Sequence, residues 1–518
     1  MKFSRREFIA TSASVAAATT LPRVAHTAAQ GEPDVIVIGA GLSGLESALT
    51  LEENGLRVLL LEGRKDRVGG RVYSLFDVPG HPEVGGNTIA QAYGRMIAAG
   101  GKYGVEVINL APRILKLGGQ EMYVGGEHIA MKDWPSHPRN PFAEPQRKLP
   151  PWGWADAMFK AHMPFRELEL WADPKFARHD IAVHDFFMQH GATQAMIDLG
   201  FNTNIAYGTT ARDVSLLMQA FADYWQQVNR GTLVAFSRTG ASLGPDPATT
   251  PAAPTVPTAL ATTAPPPTAQ MPLIGAYKGG NQNLPIAMAA RLKGDRLMGK
   301  RVVAIDVSAS NATVKCADGS RYKARAVICS MPFATLRDVA ISPAPPPVQS
   351  RAIKTLGYIP ITQFHMIAKR PFWKDEGQMP SMWTDDIAGM VLAQRFGATD
   401  DEVTSLTAWA RGRNALYVDK LGAQGGKRAV ISSIEKLRPA AQGQLEVVGM
   451  HSWALDPFAM GDWAIYQPGQ VTAFAHSMSK PHQRLFFCGE HTATGSRGME
   501  GAMESAERAA LEVLGALG

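Results

Sequence analysis

The chain has 518 residues, 45% of them hydrophobic and 19% charged, a balance that fits about two to four globular domains and excludes a disordered or fibrous protein. Three cysteines exclude a disulfide-stapled scaffold and leave too few thiols for a Cys-rich zinc or iron–sulfur site. The net charge is +6, but half of it lies in residues 1–29 (Lys2, Arg5, Arg6 and Arg23 against Glu7), and no basic block with interleaved aromatics follows, so nucleic acid is not an expected partner.

In chain order, Ser4-Arg5-Arg6-Glu7-Phe8-Ile9 resembles the twin-arginine export signal of bacteria. A weakly apolar run to about Leu21 follows, then Thr27-Ala28-Ala29, a small-residue cleavage pattern. Residues 1–29 are therefore read as an export signal, and the mature protein is expected in the periplasm. That route carries folded proteins, which suits a cofactor inserted before export. No run reaches the ~18 apolar residues that span a bilayer, so no transmembrane helix is expected.

Asp34 leads into Val35-Ile36-Val37-Ile38, a β-branched run typical of a buried parallel strand. A turn Gly39-Ala40-Gly41-Leu42-Ser43-Gly44, a helix through Leu51 and a second strand Arg57–Glu62 follow. Further strands are expected between Arg301 and Ser330 and at Leu485–Cys488, with a C-terminal helix from about Met499. The pattern predicts an α/β fold: a Rossmann-like dinucleotide-binding domain from 31–90, 275–344 and 480–518, interleaved with an α+β substrate domain from 91–274 and 345–479. Residues 245–272 hold nine of the 35 prolines with many Ala and Thr, and read as an extended insertion that packs no core.

Gly39, Gly41 and Gly44 stand where a turn must be tight, where backbone must approach a pyrophosphate, and where a helix must sit close to a sheet. The helix N-terminus offers free N–H groups and a positive dipole end. Glu62 ends the next strand 18 residues after Gly44, where a carboxylate accepts ribose hydroxyls and repels a 2′-phosphate.

Beyond this cradle, Glu62-Gly-Arg64-Lys-Asp66-Arg67-Val-Gly69-Gly70-Arg71 resembles the segment after the second strand of the flavin amine oxidases, the family of monoamine, polyamine and L-amino-acid oxidases. Other segments resemble the same family: Glu83-Val-Gly85-Gly86-Asn87, Tyr277 to Leu284, Lys369 to Trp373, and a C-terminal run of Trp453, Asp456-Pro457-Phe458, Gly461-Asp462-Trp463, Phe487 to Thr492 and Met499 to Ala502. The resemblance implies noncovalent FAD, with Arg64, Gly69, Gly70, Arg71, Gly86 and Asn87 along it. It also implies Val302 at the adenine, Gly489 and Glu490 as a second contact, and Met499 near the flavin pyrimidine. It implies oxidation of an amine C–N bond to an imine, with the reduced flavin reoxidised by O2 to give H2O2.

Trp463 falls at one wall of the family's aromatic cage, with Tyr466 behind it. Ser496-Arg497-Gly498 precedes Met499 where the family often has an aromatic, so Arg497 becomes a candidate for an acidic substrate group. Gln363 falls near the position of the family's flavin-side lysine, which leaves open an electron acceptor other than oxygen. Asp462 stands where mitochondrial monoamine oxidases have their flavin-linking cysteine, and Asn87-Thr88-Ile89-Ala90 lacks an arginine for a substrate carboxylate, leaning toward amines over α-amino acids. No histidine spacing suggests a metal. The expected partners are an amine, O2 or another acceptor and the export machinery, with a homodimer as an alternative to the monomer. Alternative readings are a flavin dehydrogenase or desaturase, an L-amino-acid oxidase, and an FAD-binding protein without turnover.

Overall fold

Every residue of the strands Val35–Ile38 (β1) and Val58–Glu62 (β2) is buried, as a parallel sheet covered on both faces requires. The computed structural model describes residues 31–116, 119–204, 207–237, 274–399 and 401–518. The expected export signal at 1–29 and the Pro-rich insertion at 245–272 lie outside the described residues.

Alternate side chains of the two strands go to opposite layers, as the period of two dictates. Val35, Val37, Val58 and Leu60 share an apolar cluster with residues of the helix Leu42–Glu53 (α1) and of the C-terminal helix Gly498–Leu517. Ile36, Ile38, Leu59 and Leu61 belong to a second cluster with Val302, Ile305 and Val314 of a four-stranded sheet. The parallel sheet has five strands in the order Arg296–Met298, β2, β1, Ala326–Cys329 and Leu485–Phe487, so Val35 pairs with Ala326, a partner far away in sequence. Helices on one face and a mostly antiparallel sheet on the other make this the mixed α/β, Rossmann-like fold of FAD proteins. Cys488 lies one residue past its strand, although its N–H still donates to the carbonyl of Cys329 at 3.0 Å. Gly489, at φ +125°, turns the chain out of the ladder there.

A seven-stranded sheet, in the order Leu445–Ser452, Ile361–Ala368, Ser405–Arg411, Met390–Gln394, Met382–Thr384, Glu121–Val124 and Glu127–His128, forms a separate layer. Its two faces differ in chemistry. Phe364, Met366, Ala408, Ala410 and Val391 pack with Val418, Val430 and Ile434 from helices Arg413–Lys420 and Gly422–Leu437. The other face carries Gln363, His365, Thr407, Trp409 and His451, which the strand register sets next to one another. A group of helices, among them Pro151–His162 and Val183–Gln189, brings Trp154, Phe159, Phe186 and Phe187 into one aromatic core.

Candidate active site

The turn after β1 is shaped by backbone crowding. Gly39 has φ +104°, and a Cβ on Gly44 would stand 2.0 Å from the carbonyl oxygen of Gly39, so α1 can approach the strand only without a side chain at 44. No side chain caps the N-terminus of α1 at Gly41, which leaves its first amides to an external acceptor. The second glycine pair closes over the first: the Gly69 N–H donates to the Ala40 carbonyl at 2.8 Å, and a Cβ on Gly70 would lie 3.1 Å from the Cα of Gly41.

Glu62, at the end of β2, accepts the Ala40 and Arg64 amides, one on each oxygen, both at 2.7 Å. Burial raises its pKa against those bonds. Each carboxylate oxygen keeps a second lone pair, and Glu62 lines an open cleft of about 1290 Å³ together with Gly39, Gly41, Gly69, Gly70 and Val302. Arg64 also lines it and is held by Asp456 at 2.5 Å and by the ring of Phe458. A cradle that a Cβ would fill, an uncapped helix start and a carboxylate at the neighbouring strand end together fit an adenine dinucleotide.

The far end of the same cleft is built by the C-terminal motif. Arg71 donates to Glu490 Oε1 at 2.9 Å and to the Asp462 carbonyl, while the same Glu490 oxygen accepts the Ala464 amide at 3.1 Å. Gly489 precedes this carboxylate at the turn out of the sheet. Met499 is the second residue of the C-terminal helix, and a Cβ on Gly86 would stand 3.0 Å from its sulfur; Asn87, which follows Gly86, is half-buried. Trp463 lines the cleft at 37% exposure, an unusual openness for a tryptophan in a folded interior. Arg497 packs beside it, 5.6 Å from the ring centroid, and 5.9 Å from that of Phe221. Burial lowers the Arg497 pKa, opposed by Glu490, Tyr93 and Asp223.

Six candidates are not part of the cleft lining: Gly44, Asn87, Gly489 and Arg497 adjoin lining residues in the chain, whereas Gln363 and Tyr466 stand apart from it. Gln363 is 2% exposed in the middle of the seven-stranded sheet, with Oε1 unpartnered. Tyr466 is buried against Trp171 and Phe474, its hydroxyl toward the Met478 sulfur. Sequence reasoning gave no role to Glu83, which joins two of the quoted motifs: its oxygens accept the Asn281 amide at 2.6 Å and the Ser74 hydroxyl at 2.7 Å. An acid directly before the Val84-Gly85-Gly86 segment was the signal. Lys300, Ser330 and Phe458 also line the cleft; only Phe458 sat in a quoted motif. Among the described residues lining the cleft there is no cysteine, histidine or tyrosine. The three thiols are buried.

Comparison with known proteins agrees with this geometry. A family model described as flavin containing amine oxidoreductase matches residues 42–514. The flavin-containing amine oxidase of Danio rerio is 26% identical over 507 residues, covering 94% of this chain and 86% of the relative. The human flavin-containing amine oxidase B is 23% identical over 508 residues, with 94% and 86% covered. Among solved structures, a putrescine oxidase variant superposes with a TM-score of 0.69 at 20% identity over 93% of this chain and 99% of that one. Cyclohexylamine oxidase from Brevibacterium oxydans gives 0.68 at 20% identity over 94% and 100%. With the nucleotide cradle at one end of the cleft, an open tryptophan at the other and a family match over nearly the whole described chain, the protein is an FAD-dependent enzyme that belongs to the flavin-containing amine oxidoreductase family.

Proposed function

We propose that the protein oxidises an amine to an imine, that water converts the imine to a carbonyl compound, and that O2 takes up the electrons as H2O2. For a primary amine the balance is R–CH2–NH2 + O2 + H2O → R–CHO + NH3 + H2O2. FAD, when bound, accepts the hydride equivalent from the carbon beside the nitrogen. The chain's own residues bind and orient. The α1 amides and Glu62 hold the nucleotide end, Arg71 and Glu490 are locked together beside the reacting end, and Trp463 presents an aromatic wall that excludes water yet tolerates an ammonium in transit. The exposure of Trp463 in the cleft it shares with Arg71, Glu490 and Met499 carries this reading. Anaerobic mixing of the holoprotein with aliphatic, aromatic and cyclic amines tests it: bleaching of the flavin by an amine is expected, and no bleaching by any of them would refute it.

The acceptor is a separate question. Gln363, a neutral side chain with an unpartnered buried oxygen, favours a second reading in which a protein or quinone replaces O2. Stopped-flow reoxidation distinguishes them, since rapid reaction of the reduced flavin with O2 supports the oxidase. Export to the periplasm through the twin-arginine route is supported by Arg5, Arg6 and the small-residue run after them. Replacing both arginines by lysine is expected to retain the protein in the cytoplasm, as read by cell fractionation.

A further inference from the structure

We propose that the amine this site accepts carries an anionic group, in the simplest case a carboxylate, held by a wall of hydrogen-bond donors running from the seven-stranded sheet to Trp463. The inference rests on the amine-oxidation reading above and names the substrate class within it.

The wall begins at His365, fully buried in the strand Ile361–Ala368. Its Nδ1 lies 3.2 Å from the Thr407 hydroxyl oxygen, and that oxygen accepts from Gln394 Nε2 at 3.2 Å. A hydroxyl has one proton to give. With Gln394 donating to it, Thr407 satisfies itself best by donating that proton to His365 Nδ1, which leaves the other ring nitrogen as Nε2–H. Burial, and the neighbouring His451, push the His365 pKa down to about 4, so the ring is neutral with a single N–H. That Nε2 has no hydrogen-bond partner.

One strand over, Trp409 faces Gln363 in the register and sits two residues from Thr407 on the same face. Its indole N–H, a donor only, is also buried without a partner. Arg411 continues the line, 5.2 Å from the Trp409 ring and 5.5 Å from the Trp463 ring, and stands 3.6 Å from Asp462 Oδ2. Arg497 completes it on Trp463, and its guanidinium makes no hydrogen bond or ion pair among the described residues. Buried donors without acceptors are costly, and two guanidinium groups on one tryptophan repel a second ammonium. An anionic substituent relieves both penalties at once.

The test uses the holoenzyme under anaerobic conditions, with flavin bleaching as the readout. Three probes share one carbon skeleton: pentylamine, δ-aminovalerate and cadaverine, each repeated with the homologue one methylene longer. The ratio of reduction rate to apparent Kd is expected to favour the aminocarboxylate over the alkylamine by at least about tenfold, with the diamine poorest. Arg497→Gln is expected to bring that preference close to one, and Arg497→Lys to restore part of it. Should Arg497→Gln fail to hold FAD, Trp409→Phe removes a single donor and is expected to lower the preference about fivefold. An alkylamine or diamine that matches the aminocarboxylate at both lengths would overturn the proposal, as would a preference unchanged in the variants. Flavin left unbleached by every amine would sink amine oxidation itself, a distinct outcome.

Discussion

A Cβ on Gly44 would stand 2.0 Å from the Gly39 carbonyl oxygen, and backbone atoms, unlike a side-chain tip, have nowhere to retreat. Gly44→Ala is therefore expected to push α1 off β1, costing about 1–3 kcal/mol and most of the bound flavin. The ratio of flavin to protein absorbance and the urea midpoint measure the two effects. Glu83 makes a pH-dependent prediction. Burial pushes its carboxyl up to about 8 against the hydrogen bonds from Asn281 and Ser74. A carboxyl raised on folding binds its proton longer in the native state than in the unfolded chain. Its contribution is thus fully present below about pH 4.3, the ordinary glutamate value, and is lost as pH rises through about 8. Glu83→Gln, which keeps the shape and stays neutral, is expected to flatten that decline; a wild-type stability that rises over the same range would contradict it.

At the scale of elements, the segment after β2 and the run from Trp453 to Trp463 are joined through Arg64 and Asp456, 2.5 Å apart and nearly buried. Although burial alone would raise it, the His451 ring nitrogen 3.3 Å away and the hydrogen bond from Arg64 hold the Asp456 carboxyl well below the usual range. Stability from this pair is present above the unfolded value of about 3.9 and is lost as pH falls through the folded one. A double-mutant cycle of Arg64→Ala and Asp456→Ala is expected to show a coupling of about 0.5–3 kcal/mol near neutral pH that shrinks in acid. A constant coupling would mean that Asp456 is not charged. The motif spacings made both elements legible in the sequence, but their meeting was not: 392 residues separate the partners, and no local pattern encodes such a contact.

For the whole molecule, the cleft is lined from segments near residues 39–86, 300–339, 457–463 and 490–502. A ligand spanning them binds the native state and not the unfolded chain, so FAD is expected to raise the melting temperature in step with the logarithm of its concentration. At a hundred times its Kd the gain is about 2.7 kcal/mol. A melting temperature independent of added FAD, measured on protein stripped of flavin, would show that the segments hold together without it. Among the described residues no helix is long and apolar enough to cross a membrane.

The sequence by itself determined the nucleotide half of this protein. Continuous apolar strands, glycines at turn positions and a strand-end acid are local demands of backbone geometry, and they are readable wherever they occur in order. The substrate half was settled only in three dimensions. Gln363 and Trp409 are neighbours because two antiparallel strands share a register, and Arg497 meets Trp463 because a helix start packs against a distant loop. Tyr466, three residues beyond the open Trp463 and just past the short strand Ala464–Ile465, faces the core at Trp171 instead. Pocket chemistry depends on which side chains converge, and convergence belongs to packing rather than to spacing.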